Sequence, residues 1–168
     1  KYKGVELTPE GETVALEVIR HHRLLETFLT ERLDYSWSDV HDEADRLEHH
    51  ISEEFERRVA EALDNPTVDP HGDPIPDADL KPLADDDSVR LSEFTEDDHV
   101  TVARVSDRDD EELSYLEAAG IVPGTELVVI DIAPFGMFTV RTPDGDEQSL
   151  PESVARSNSV EPVVEEGA

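Results

Sequence analysis

The sequence predicts an α+β protein in which a helical half precedes a half built of short strands. In residues 8–76 apolar residues recur at intervals of three and four, the period of an amphipathic helix. From Val89 onward apolar and polar residues alternate, which is the period of a strand. Between the halves, residues 77–88 contain five Asp and little apolar periodicity. We interpret this stretch as an acidic linker.

The first and longest predicted helix extends from Thr8 to Leu33. Thr8 is a good N-cap, Pro9 suits the first helical position, and Glu10 complements the helix dipole. Its apolar residues form one stripe: Val14, Val18, Leu25, Phe28 and Leu29. Residues 34–38 break the pattern and lead into a second helix.

The second helix is predicted to end near Ile51, and Ser52 then caps a third, which Asn65 and Pro66 terminate. Three helices of this length cannot enclose a large core. The apolar surface left over predicts pairing with a second copy, a homodimer, unless the second half of the chain covers it.

Short strands are predicted in the second half around Val100–Val105, Leu127–Ile132, Met137–Val140 and Val160. Residues Glu111–Ala119 form a short helix that Gly120 closes. Asp144 and Gly145 predict a hairpin turn.

Composition excludes direct contact with nucleic-acid phosphates. The chain has 43 acidic and 14 basic residues, a formal charge of −29, and only three Lys. Such a surface is typical of a protein from a salt-accumulating halophile, because molar salt screens its self-repulsion. The alternative of an acidic disordered chain conflicts with the apolar periodicity.

Cysteine is absent, which excludes disulfides and thiolate ligands. No apolar run approaches the roughly 18 residues of a membrane span. We expect a cytoplasmic protein that does not associate with membranes.

Potential metal ligands are concentrated on the first two helices. At about 100° per residue, four of them on the second helix fall within an arc of roughly 100°: His41, Asp45, Glu48 and His49. His50 points the opposite way. His22 and Glu26, four residues apart, share a face of the first helix. The pattern predicts a mixed imidazole and carboxylate site for a divalent transition metal. The alternative is a solvated acidic face, since about one residue in four is acidic.

Three motifs follow one another along the first half of the chain: Tyr2–Gly11, then His22–Glu26 with Phe28–Leu29, then Val40–His49 followed by the loop Pro70–Pro76. Together they resemble the metal-binding and dimerisation domain of the iron-dependent repressor family, which includes the diphtheria toxin repressor and the manganese-dependent repressors. Their order and spacing carry the resemblance.

The resemblance implies two metal sites. His22, Glu26 and His41 correspond to an ancillary site. Asp45, Glu48 and His49 correspond to the primary, regulatory site. In manganese-dependent members, His22 and Glu48 would contribute to a binuclear pair. Asp45 stands where iron-dependent members carry a thiol, and a hard oxygen ligand favours Mn²⁺ first and Fe²⁺ second.

The resemblance also implies roles for other segments. Residues 1–7 match the end of a winged-helix domain, so we expect a preceding DNA-binding domain to provide the only contact with operator DNA. His71 would be structural, and Trp37 a packing anchor.

Residues 89–162 resemble the small SH3-like barrel of ferrous-transport accessory proteins, through Leu116–Thr125 and the strands around Ala133–Pro134. Residues 163–168 would be a tail. In some repressors this domain lends two oxygen ligands, for which Asp109 and Glu112 are the best match; a plain acidic loop is the alternative.

The resulting prediction is a metal-dependent transcriptional regulator, either repressor or activator, that is not an enzyme and senses Mn²⁺ or Fe²⁺ as a dimer. Two alternatives stay open. One is an enzyme in which the same ligands hold non-haem iron. The other is a purely structural dimerisation module.

Overall fold

The computed structural model describes residues 6–84 and 88–163. The chain divides into two compact units, Lys1–Asp85 and Asp86–Ala168. Most of residues 1–7, which resemble the end of a winged-helix domain, part of the predicted linker and nearly all of the predicted tail lie outside the described residues. Residues 6–8 have no regular secondary structure.

Three helices form the first unit: α1 (Pro9–Leu33), α2 (Trp37–Leu47) and α3 (Glu53–Ala62). The predicted caps are confirmed. Thr8 Oγ1 accepts a hydrogen bond of 3.1 Å from the Gly11 amide, and Ser52 Oγ accepts one of 3.2 Å from the amide of Phe55. Asp34, in the left-handed conformation, ends α1.

Helix α2 is shorter than predicted and ends at Leu47 rather than near Ile51. The His50 amide donates to the Leu47 carbonyl at 2.8 Å, a bond between residues three apart that tightens the chain into a turn before α3. Glu48 is therefore the C-cap of α2, and His49 lies in the turn. The direction of the His49 side chain therefore does not follow the regular rotation of a helix.

Helix α1 packs against both other helices through two separate apolar clusters. The cluster toward α3 contains Leu24, Val59, Ala60, Leu63 and Ile75, with Phe28 against it. The cluster toward α2 contains Leu25, Leu29, Val40 and Ala44, with Tyr35, Leu47 and Ile51 against it. The two clusters hold α2 and α3 against α1. Glu26 and the polar residues near it lie between these helices.

The loop after α3 folds back on itself through a bridge between Val68 and Pro74. Asp69 Oδ1 accepts hydrogen bonds of 2.9 Å from the backbone amides of His71 and Asp73. This Asx turn, a common use of Asp in loops, carries His71 into the interior, where it is fully buried.

The second unit contains one antiparallel sheet of six strands in the order β1–β6–β2–β3–β4–β5. The strands are β1 (Val89–Arg90), β2 (His99–Arg104), β3 (Glu126–Ala133), β4 (Met137–Arg141), β5 (Glu147–Pro151) and β6 (Ser159–Pro162). Two helices accompany them, α4 (Asp110–Ala118) and α5 (Glu152–Ser157). In the part of the chain that is described, the sheet is open, with β1 and β5 at its edges.

Alternating burial explains which strands the sequence predicted. In β2, β3 and β4 buried residues alternate with more exposed ones. The strands that were missed, β1 and β5, are short or polar, and β5 buries only Leu150. Helix α4 and its end at Gly120, which has a positive φ of 69°, are confirmed.

Among the described residues, no helix combines the length and the apolar character needed to cross a membrane.

Candidate metal centre

His22 lies between two groups of potential ligands. Helix α1 places Glu26 one turn after it, and α2 brings His41 against both. His22 Nε2 is 3.0 Å from Glu26 Oε1 and 3.2 Å from His41 Nδ1, and His41 Nδ1 is 3.1 Å from the same carboxylate oxygen. The three donor atoms form a nearly equilateral triangle.

The other nitrogen of His22 faces the C-terminal end of α2. Nδ1 lies 2.8 Å from Glu48 Oε2 and 3.3 Å from Asp45 Oδ1. The His22 side chain is 15% exposed and that of Asp45 is 56% exposed, so this second group opens toward solvent. The two groups meet only through the imidazole ring of His22.

His49 does not belong to either group of donor atoms. Its Nε2 lies 3.0 Å from Glu48 Oε1, on the far side of that carboxylate, and its side chain is 62% exposed. The arc deduced from helical rotation therefore separates into two parts: His41 faces Glu26, whereas Asp45, Glu48 and His49 lie at or beyond the end of α2.

The charges of the surrounding carboxylates control the protonation of His22. Burial alone lowers the pKa of His22, but hydrogen bonds and charge from Glu26 and Glu48 outweigh it and raise the pKa to about 9. Burial likewise raises the pKa of Glu26, and the hydrogen bond and charge of His22 reverse this, so that the pKa is lowered overall. The carboxylates that stabilise the proton on His22 would also favour a bound cation at this position.

The triangle of His22, Glu26 and His41 has the dimensions of a metal site. In an octahedral complex with bonds of about 2.1 Å, adjacent ligand atoms lie about 3.0 Å apart. The observed edges of 3.0, 3.1 and 3.2 Å agree with this spacing. Two imidazoles and one carboxylate form a donor set suited to divalent Mn, Fe or Zn.

The two nitrogens of His22 have different roles when one of them binds a metal. A neutral imidazole offers one lone pair and one N–H. When Nε2 binds an ion together with Glu26 and His41, Nδ1 donates its hydrogen to Glu48 at 2.8 Å. Such a carboxylate partner fixes the tautomer and orientation of a metal-binding imidazole.

Behind Glu26 lies a fully buried layer that includes His71, Trp37 and Asp69. The rings of Trp37 and His71 meet edge to face with centroids 5.0 Å apart, and His71 Nδ1 is 3.8 Å from Glu26 Oε2. Burial, together with the negative charges of Glu26 and Asp73, raises the pKa of Asp69 to about 7. The prediction that Trp37 is a packing anchor is confirmed. Asp69 was not predicted as a site residue; the signal in the sequence was its place at the start of a tight turn that contains Pro and Gly.

Sequence reasoning also missed His21. The residue was visible as a neighbour of His22, but nothing in its spacing indicated that it contacts Glu56 on α3 and the main chain of Glu48. There it lies 3.1 Å from the Glu48 carbonyl and 3.1 Å from Glu56 Oε2.

Asp109 and Glu112 have structural partners within the second unit. Asp109 is the N-cap of α4 and accepts a 3.0 Å hydrogen bond from the Glu112 amide. Glu112 Oε1 accepts from Ser157 Oγ at 2.8 Å and from Asn158 Nδ2 at 3.2 Å. These contacts favour helix capping and loop attachment over ligand donation.

Comparison with known proteins relates both units to metal-responsive regulators. Residues 8–77 match the family described as iron dependent repressor, metal binding and dimerisation domain, and residues 89–162 match the FeoA domain. The iron-dependent repressor IdeR of Mycobacterium tuberculosis strain H37Rv is 36% identical over 172 residues, covering 96% of this chain and 74% of the relative. The diphtheria toxin repressor of Corynebacterium glutamicum is 35% identical over 170 residues, covering 96% and 73%. A solved manganese-dependent transcriptional repressor in complex with manganese superposes with a TM-score of 0.88 at 39% identity, covering 95% of this chain and 76% of that one.

Proposed function

The chain belongs to the iron-dependent repressor family, and from this premise we propose how it works as the metal-sensing and dimerising portion of a transcriptional regulator that responds to Mn²⁺ or Fe²⁺. The observation that carries the proposal is the triangle of donor atoms on His22, Glu26 and His41, whose edges of 3.0–3.2 Å suit one divalent ion.

Two metal centres are proposed. The ancillary centre uses His22, Glu26 and His41. The regulatory centre uses Asp45, Glu48 and His49, of which Glu48 and His49 already lie 3.0 Å apart. A hydrogen bond from His22 Nδ1 to Glu48 connects the centres, so that filling one orients a ligand of the other.

Manganese and ferrous iron fit these ligands best. The chain has no Cys, and Asp45 supplies a carboxylate oxygen at the regulatory centre. Oxygen and imidazole ligands favour Mn²⁺ and Fe²⁺ over metals that prefer sulfur. When bound, the metal neutralises buried carboxylates and draws α1 and α2 into one arrangement, which shifts the population toward the regulatory state.

Dimerisation is assigned to the helical unit. Leu7, which precedes α1, and Val14, in the first half of α1, are 56% and 59% exposed. Exposed large apolar side chains in one region are typical of an interface. We propose that a second copy covers them, in keeping with the matched dimerisation domain.

The proposed domain boundaries are 8–76 for the helical domain, 77–88 for the acidic linker and 89–162 for the second domain. They agree closely with the matched ranges 8–77 and 89–162. We propose that the second domain forms a small SH3-like barrel, because the FeoA match covers residues 89–162 and the natural twist of a sheet of six short strands favours closure.

Operator DNA is proposed to be contacted outside the part of the relatives that this chain matches, which is 74% of the mycobacterial repressor. A net charge of −29 repels DNA phosphates. The relatives found are repressors, so we propose regulation rather than catalysis.

Calorimetric titration of Mn²⁺, and of Fe²⁺ without oxygen, tests the function. We expect about two bound ions per chain and a dimer by light scattering at about 10⁻⁵ M chain. Glu26→Gln should abolish the ancillary ion, whereas the matched control Glu31→Gln, at an exposed position of α1, should bind as the wild type does. Absence of metal binding, or equal binding by both variants, would refute the assignment.

A further inference from the structure

His21 lies in the helical unit at a junction of α1, α3 and the C-terminal end of α2. Its side chain is buried, and both ring nitrogens have partners: Nδ1 lies 3.1 Å from the main-chain carbonyl of Glu48, and Nε2 lies 3.1 Å from Glu56 Oε2. A carbonyl and a carboxylate are both acceptors, so the ring nitrogen that carries a hydrogen donates it to its partner.

Glu56 is itself held firmly. Its other oxygen accepts a 2.6 Å hydrogen bond from Arg20 Nε, and Arg20 also donates to the Pro76 carbonyl at 2.7 Å. Arg20 is only 8% exposed, so water competes little for these bonds. His21 therefore extends from a fixed point on α3 to the end of α2.

The carbonyl that His21 binds belongs to the C-cap of α2. The last carbonyls of a helix have no partner within the helix, and a donor placed there determines how the chain continues. Beyond Leu47 the chain leaves regular helix, so helical hydrogen bonding no longer restrains Glu48 and His49 fully. The bond from His21 supplies a restraint at that point.

We propose that His21 is a positioning residue of the regulatory centre, which holds Glu48 in place through its main-chain carbonyl while His22 orients the side chain of the same residue. Two neighbouring residues of α1 thus hold Glu48 at two points. The inference rests on the proposed function, because Glu48 is a metal ligand only under that function.

Two amide variants separate the contacts of His21. His21→Asn places an amide donor near the position of Nδ1 and keeps the bond to Glu48, whereas His21→Gln places it near the position of Nε2 and keeps only the bond to Glu56. His21→Phe keeps an aromatic ring and removes both ring nitrogens. His50→Phe is the matched control, since His50 is exposed in the same turn.

The readout is Mn²⁺ affinity of the full chain by calorimetry. Loss of an outer partner of a metal ligand typically weakens affinity by roughly 10- to 100-fold, and we expect that loss for His21→Phe and His21→Gln. His21→Asn should stay within about threefold of the wild type, since it retains the bond that matters. His50→Phe should have no effect.

A double-mutant cycle distinguishes positioning from general destabilisation. If His21 acts through Glu48, His21→Phe should cause no further loss of Mn²⁺ affinity in a protein that already carries Glu48→Gln. In a protein that carries His41→Ala, His21→Phe should weaken Mn²⁺ affinity by the same factor as in the wild type. Equal losses in both backgrounds, equal affinities of the Asn and Gln variants, or wild-type affinity of His21→Phe would overturn the inference. Should His21→Phe fail to fold, the comparison of Asn with Gln decides.

The same experiment tells failure of this inference from failure of the proposed function. If Glu48→Gln binds Mn²⁺ as tightly as the wild type, the regulatory centre is wrong and the inference falls with it. If Glu48→Gln weakens binding and His21→Phe does not, only the positioning role is wrong.

Discussion

At the scale of single residues, His22 has the most consequential position in the helical unit. One ring nitrogen faces Glu26 and His41, and the other faces Glu48. With a pKa raised to about 9, His22 carries a proton at neutral pH when no metal is bound. Under the proposed function, metal and proton therefore compete for the same imidazole.

The first prediction concerns this competition. Between about pH 7 and pH 9, Mn²⁺ affinity should rise by about tenfold per pH unit and then level off, because binding must displace the His22 proton. The displaced proton is measured from the dependence of the calorimetric enthalpy on the ionisation enthalpy of the buffer. An affinity that is flat over this range would exclude His22 as a ligand.

Stability without metal should change with pH in the opposite sense. The folded-state pKa of His22 is above the ordinary 6.5, so its contribution to stability is complete below pH 6.5 and is lost as the pH rises through about 9. Thermal unfolding with and without Mn²⁺ should therefore diverge as the pH increases.

The second prediction concerns metal choice at Asp45. Replacing Asp45 with Cys adds a soft donor at the open side of the proposed regulatory centre, and should raise affinity for Zn²⁺ relative to Mn²⁺. The control Asp42→Cys adds a thiol elsewhere on the exposed surface of α2 and should leave the ratio unchanged. His49→Ala should weaken binding of every metal. An unchanged Zn²⁺ to Mn²⁺ ratio, combined with no loss in His49→Ala, would show that both residues are merely surface residues.

At the scale of elements, the connections matter more than the helices and strands themselves. The end of α2 determines where Glu48 and His49 point, and the Asx turn at Asp69 places His71 beneath Glu26. In the second unit, Glu112 on α4 holds the segment between α5 and β6 through Ser157 and Asn158.

The third prediction tests that attachment. Glu112→Ala removes the acceptor of two hydrogen bonds to a carboxylate and should destabilise the second unit by about 1–3 kcal/mol. Glu111→Ala is the control, because Glu111 also lies in the first turn of α4 and is exposed. Urea unfolding measures the difference. Weaker Mn²⁺ binding by Glu112→Ala with unchanged stability would instead make Glu112 a ligand.

At the scale of the whole molecule, charge dominates. A formal charge of −29 on 168 residues produces strong self-repulsion that favours unfolding in dilute buffer. The Debye length falls from about 10 Å at 0.1 M salt to about 3 Å at 1 M. Salt should therefore stabilise the chain as a whole.

The fourth prediction is that the melting temperature rises as KCl is increased from about 0.1 M to about 2 M. Over this range the repulsion between surface charges changes from weakly screened to almost fully screened. KCl is chosen because it is a weaker excluded solute than sulfate salts, so the effect reports mainly charge screening. A melting temperature that is constant or falls with KCl would contradict the halophilic interpretation.

The fifth prediction is that this chain alone does not bind duplex DNA, with or without Mn²⁺, because its charge has the same sign as the phosphates. A gel mobility-shift assay at moderate salt tests it. A shift that depends on metal would show that these residues themselves contact DNA.

Much of the fold followed from local sequence. The period of the apolar residues distinguished the helical half from the strand half, and Thr8, Ser52 and Gly120 marked helix ends correctly because capping depends on nearby residues. The edge strands β1 and β5 were missed, because a short or polar edge strand has no apolar alternation of its own. Strand β1 forms by pairing with the distant β6, and β5 forms by pairing with its hairpin neighbour β4.

The sequence by itself also determined which residues can be ligands, since imidazole and carboxylate at four-residue spacing and the absence of Cys are properties of the chain alone. Only the tertiary structure decided how these side chains group. Packing of α1 against α2 and α3 placed His21 beside Glu56 and His22 beside Glu26, although both contact Glu48. Helical rotation gives direction within one helix, whereas the distance between two helices depends on the core that both bury, here the apolar clusters on either side of α1.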